Sequence, residues 1–107
     1  MNAQFGLSVR FTLHEGAEAA FDTLVAETLP GIKAHESGTL VYVVHTVEGE
    51  PRQRIFYELY RDRAAFDEHE RQPHTLRFLA EREALISSVD VDWLTPNDGK
   101  VSVPHDE

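Results

Sequence analysis

The chain has 107 residues, enough for one domain, since a domain of this size buries roughly 60 to 70% of the surface its unfolded chain exposes. With 41% hydrophobic and 27% charged residues it has the balance of an ordinary globular protein, not of a disordered one. Its 10 basic and 19 acidic residues leave a net charge of -9, which repels phosphate backbones and anionic lipid heads and argues against nucleic acid as a partner.

Leu7, Val9, Phe11 and Leu13 alternate with Ser8, Arg10 and Thr12, which predicts a first strand with one apolar and one polar face. From Ala17 to His35 the apolar residues Phe21, Leu24, Val25, Leu29 and Ile32 recur at three and four, which predicts a long amphipathic helix stopped near Gly38. Pro30 falls inside that helix, and a kink or short break is expected there. Thr39 to Val47 and Arg54 to Tyr60 are rich in β-branched and aromatic residues and flank Glu48-Gly49-Glu50-Pro51, which predicts a hairpin. Arg61 to Glu70 is helical in composition, Gln72-Pro73 interrupts it, and Pro73 suits the first turn of a further helical piece carrying Leu76, Leu79 and Leu85. Val89, Val91 and Trp93 alternate with Asp90 and Asp92 as a last strand, and a polar tail starts at Pro96.

This order, βαββαβ, is the ferredoxin-like α+β arrangement, an antiparallel sheet with both helices on one face, expected here over residues 1–95 with a tail over 96–107. Strand four then neighbours strand one and sets Arg10 beside Asp90 or Asp92 on a face that tolerates water. Strands two and three carry apolar residues on both faces, as strands covered twice do. One chain has helix enough for one face only, so a homodimer pairing sheet against sheet is expected, its contact centred on strands two and three.

No stretch approaches the roughly 18 apolar residues of a membrane span, and Met1 to Phe5 lacks the basic and apolar regions of a signal peptide, so a cytoplasmic protein is expected. The absence of cysteine excludes disulfides, thiolate metal sites and a cysteine nucleophile. Candidate chemistry gathers between Glu58 and His74. His69 and His74 can exchange protons near neutral pH, and Glu58 is a carboxylate that would orient or polarise them, although half-exposed helix histidines fit the same spacing. The segment His69-Glu70-Arg71-Gln72-Pro73-His74 is not a zinc motif, because the histidines are five apart with a proline between them, and no metal is expected. Tyr42, Tyr57 and Tyr60 are candidates to line an apolar pocket, with Trp93 assigned to the core. Aromatic residues on strand three also occur in RNA-binding domains, but the glycine pattern of that motif is missing and the charge is of the wrong sign.

Gly38-Thr39-Leu40-Val41-Tyr42 after a long helix, Phe56-Tyr57-Glu58-Leu59-Tyr60-Arg61-Asp62, and Ala65-Phe66-Asp67-Glu68-His69 followed by Pro73-His74 resemble the antibiotic biosynthesis monooxygenase family over about Leu7 to Leu94. The resemblance implies a dimeric α/β barrel of ferredoxin-like subunits, each with a pocket between helices and sheet. It further implies a cofactor-independent monooxygenase that oxidises a quinol or polycyclic phenol with molecular oxygen. In that reading His69 or His74 is the base, Glu58 the orienting carboxylate and Tyr42 a hydrogen-bond donor, and Tyr42, Tyr57, Tyr60, Phe66 and Phe78 contact the substrate. A non-catalytic small-molecule-binding or regulatory dimer of the same fold is the alternative. Haem-degrading relatives use an asparagine and a tryptophan where this chain has Val9 and His69, which disfavours that chemistry, and no phosphate-binding cluster supports sugar-phosphate isomerisation.

Overall fold

The computed structural model describes residues 4–100. Strands β1 (Phe5–Leu13), β2 (Thr39–Val47), β3 (Glu50–Tyr60) and β4 (Ile86–Leu94) form one antiparallel sheet in the order β2-β3-β1-β4. Helix α1 (Glu18–His35) joins β1 to β2, and α2 (Arg63–Glu70), α3 (Pro73–Glu81) and a 3-10 turn (Arg82–Ala84) join β3 to β4. The fold is ferredoxin-like, with the second helix of the expected order divided into two at Gln72-Pro73.

Alternation in β1 sends Leu7, Val9, Phe11 and Leu13 under the helices, where all four are buried. Phe21 of α1, Phe56 of β3 and Phe78 of α3 close around Phe11 with tilted and edge-on ring contacts, Phe11 to Phe56 being 4.8 Å between centroids. Arg54 is buried at the same layer, and its guanidinium grips Asp22 of α1 with two hydrogen bonds of 2.9 and 3.0 Å. On the opposite face Arg10 pairs in register with Asp90, as expected, although its guanidinium donates to Gln53.

Three local expectations are refined by the structure. Helix α1 runs through Pro30 without a break. Pro30 and Ala26, whose carbonyl loses its donor, are both exposed, so water can satisfy that oxygen. Gly38 does not end the helix by adopting a positive φ. It is needed because a Cβ there would stand 2.6 Å from the Ala65 Cβ, and it lets the start of β2 lie against α2. Strand β3 begins at Glu50, earlier than expected, because Glu48 and Gly49 alone make the turn.

The face away from the helices carries Val41, Val43, Ile55, Tyr57 and Leu59 on β2 and β3, placed there by the register. Residues Thr95 to Lys100 run past Leu59 and Tyr57 and form with them one side of a shallow groove. The remainder of the polar tail, and with it His105, lies outside the described residues. No helix among the described residues is long and apolar enough to cross a membrane.

Candidate active site

The last residue of α1 is followed by Glu36, which turns inward and is 2% exposed at its side chain. A carboxylate at a helix C-terminus stands against the helix dipole and, when buried, must be hydrogen-bonded to persist. Here three donors converge on it. His69 Nδ1 lies 2.8 Å from Oε1, His74 Nε2 lies 2.5 Å from Oε2, and the Thr39 hydroxyl donates to Oε1 at 2.6 Å. Four elements meet at this point, because His69 lies in the last turn of α2, His74 in the first turn of α3 and Thr39 at the start of β2. Burial pushes the Glu36 carboxyl upward, but the hydrogen bonds from His69, Thr39 and His74 outweigh it and hold the carboxyl below its ordinary value. An ionised Glu36 accepts from Nδ1–H of His69, which fixes that tautomer and leaves Nε2 as the free lone pair of the neutral ring.

The cavity beside His69 has a volume of about 170 Å³. Its floor is the helix-facing side of the sheet, with Leu7, Val9 and Phe11 of β1, Phe56 and Glu58 of β3, and Tyr42 of β2. Phe66, His69 and Glu70 of α2 and Thr75, Phe78 and Leu79 of α3 form its wall, and Arg82 stands where α3 ends. On the remaining side the helices do not reach β4, so Val89, Val91 and Trp93 form a rim open to solvent. Nε2 of His69 makes no hydrogen bond to any described residue, and neither does the Tyr42 hydroxyl.

The two histidines therefore have different places. His69 is 4% exposed and lines the cavity. His74 does not line it and lies against α1 at Gly31, where an added Cβ would overlap its Nδ1. The carboxylate that orients His69 is Glu36, not Glu58. Glu58 lines the cavity, but its Oε1 accepts a 2.6 Å hydrogen bond from the Tyr60 hydroxyl. Burial raises the Glu58 carboxyl, with the Tyr60 hydrogen bond and His69 opposing, and burial together with the Glu58 charge raises the Tyr60 phenol. Tyr42 is likewise pushed well above the usual phenol value, by burial first and then by Glu58 and Glu36.

Of the other expected contact residues, Phe66 and Phe78 line the cavity. Tyr60 does not, being fully buried between Phe66 and His69 with its hydroxyl engaged by Glu58. Tyr57 is on the other face of the sheet, opposite Ser8 and Val43, because its neighbours Phe56 and Glu58 take the helix-facing side. Trp93 is not core. It is 59% exposed and stacks on Phe5 at the rim, because no helix covers β4. Among the described residues no group of three His, Asp or Glu side chains is disposed to hold a metal ion.

The sequence profile described as antibiotic biosynthesis monooxygenase matches residues 5–81. The chain belongs to that family. Its monooxygenase-family fold is shared by PA3566 of Pseudomonas aeruginosa, at 28% identity and a TM-score of 0.83, with 92% of this chain and 98% of that one covered. Rv0793 of Mycobacterium tuberculosis is similar at 27% identity and a TM-score of 0.85, over 92% of this chain and 100% of that one. SnoaB of Streptomyces nogalater, a cofactor-independent oxygenase, shares the fold at 22% identity and a TM-score of 0.79, over 91% and 96% of the two chains. No curated protein matches the chain. The family match contains Glu36, Thr39, His69 and His74 and ends before Arg82 and β4.

Glu36 is the residue that sequence reasoning passed over. One signal was available, an acidic residue just past the end of a helix, where the dipole disfavours it. Its partners lie 33 and 38 residues away, beyond the reach of any local pattern.

Proposed function

We propose that the chain is a cofactor-independent monooxygenase that oxidises a quinol or polycyclic phenol with molecular oxygen, and that His69 is its base. The observation that carries this reading is the position of His69, with Nδ1 held by a buried carboxylate and the ring lining an apolar cavity. Nε2 takes the phenolic proton, and Glu36 stabilises the imidazolium that results. The Tyr42 hydroxyl, whose own ionisation is suppressed, stays a donor for the substrate oxygen. Walls built from Phe56, Phe66 and Phe78 keep water from the anion, which then gives an electron to oxygen. Overall, a phenol and dioxygen become a quinone and water. A cavity of about 170 Å³ compares with the ~150 Å³ that holds a benzene ring, so one ring is enclosed and any further rings extend past Trp93.

We further infer a homodimer joined through the face of β2 and β3 that carries Val41, Val43 and Ile55. The test of the activity is oxygen uptake with a panel of quinols and polycyclic phenols, without flavin, haem or metal. With an active substrate, His69→Ala lowers kcat by about 10²- to 10⁴-fold. His74→Ala costs less, because His74 acts through Glu36. Full oxygen uptake by the doubly substituted His69→Ala, His74→Ala protein rules out the histidine assignment. No uptake with any compound favours a non-catalytic binding module.

A further inference from the structure

Arg82 opens the 3-10 turn after α3, and its side chain, 20% exposed, lines the cavity that His69 faces. Its guanidinium lies over the Phe11 ring at 5.3 Å. Nε is shut off from solvent and has no hydrogen-bond partner, while the two terminal nitrogens, which make no hydrogen bond to a described residue, are not shut off. Glu83 is the only carboxylate within ion-pair reach among the described residues. It stands 3.9 Å from Nε, beyond hydrogen-bond range, and is itself 74% exposed. A buried guanidinium N–H without an acceptor is uncommon in a native structure unless something supplies one. Its charge also reaches the Tyr42 hydroxyl and opposes the effect of burial there, so the two groups act on the same space.

We propose that Arg82 is the anion-binding residue of the cavity and that the ligand it receives is a monoanionic phenolate, held through the guanidinium N–H groups. The proposal rests on the reading of the cavity as a phenol site and adds to it the ionisation state that the site selects. A phenolate gives the ring that Phe56, Phe66 and Phe78 accommodate and the oxyanion that Arg82 lacks. A neutral aromatic leaves Arg82 unpaired. A dianion brings a second negative charge toward Glu58 and Glu70, which line the same cavity. With His69 as proton acceptor and Arg82 as partner for the product of that transfer, the cavity lowers the cost of forming the anion before oxygen arrives.

The test uses 4-nitrophenol, whose phenolate absorbs in the visible, titrated across pH with and without the full chain. The bound phenol is expected to ionise about one pH unit below the free one. Arg82→Gln removes most of that lowering and weakens phenolate binding about ten-fold or more, while 4-nitroanisole, a neutral probe of similar shape, binds wild type and variant alike. Arg82→Lys, which keeps the charge without the fork of donors, retains most of the lowering and serves if the Gln variant does not fold. Unchanged ionisation and affinity in Arg82→Gln, or failure of the wild-type chain to bind the phenolate, overturns the proposal. Arg82-dependent phenolate binding without oxygen uptake for any quinol leaves this proposal standing and removes the oxygenase reading alone.

Discussion

Glu36 and Glu58 are both buried and both act on His69, yet their surroundings act on them with opposite sign. The Glu36 carboxyl is held below its ordinary value in the native state, so on acidification the unfolded chain takes up the proton first. Its stabilising contribution is complete above the ordinary carboxylate value and is lost as pH falls through the lowered native one. Burial raises Glu58, so the native state binds that proton more tightly, and its contribution is present at low pH and lost as pH rises through the raised value. Glu36→Gln is therefore expected to cost about 2 kcal/mol at neutral pH, because three donors lose their charged acceptor, and to flatten the loss of stability as pH falls below the ordinary carboxylate value. Glu58→Gln is expected to change neutral stability by less than about 1 kcal/mol and to steepen that loss. Thermal denaturation of the three proteins across this range is the measurement, and parallel curves would refute the assignment of either sign.

At the scale of elements, the site depends on how closely α3 approaches α1. Ala in a helix interior ordinarily stabilises over Gly by about 1 kcal/mol. At Gly31 the opposite is expected, because the new Cβ would overlap the His74 ring and push it off Glu36, at a cost of about 1 to 3 kcal/mol. In a His74→Ala background the same substitution should recover most of that loss, a coupling that urea denaturation of the four proteins in the cycle would read. If Gly31→Ala stabilises the chain with His74 present, the packing of α3 against α1 is not as described. These dependences also mark what the sequence made legible. The strands β1, β2 and β4 and the interrupted second helical region follow from period and composition, which are local properties, and the topology they imply sets Arg10 beside Asp90 or Asp92. His69 and Tyr42 were candidates by residue type, and Phe66 and Phe78 only through the family resemblance. The Glu36 centre was not legible, since it joins residues from four elements, and Trp93 misled because aromatic residues are mostly core, whereas here the helices end short of β4. Tyr57 misled for a different reason. Strand β3 has apolar residues on both faces, so composition does not tell which set faces the cavity.

At the scale of the whole molecule, the helices among the described residues cover one side of the sheet only. Val43 is 45% exposed and Leu40, beside the irregularity where β2 begins, is 47% exposed, on a strand that is also the edge of the sheet. Edge strands with exposed apolar side chains invite pairing unless something blocks them, and Thr95 to Lys100 reach only the part of this face near Leu59. The other half of the face, with Ser8, Arg10, Asp90 and Asp92, is polar, so an apolar contact between two copies would be confined to β2 and β3. A net charge of -9 per chain opposes association, and therefore the apolar contact has to exceed that repulsion, which added salt should weaken. The expectation is a dimer at micromolar concentration that becomes tighter with salt and that Val43→Glu converts to a monomer. Because Val43 is not part of the subunit core, the variant monomer should keep its secondary structure and its cavity. Sedimentation equilibrium of the wild-type and variant chains at low and high salt distinguishes the cases. A wild-type chain that sediments as a monomer at every concentration would remove the dimer and leave the cavity, which is built from one chain, unaffected.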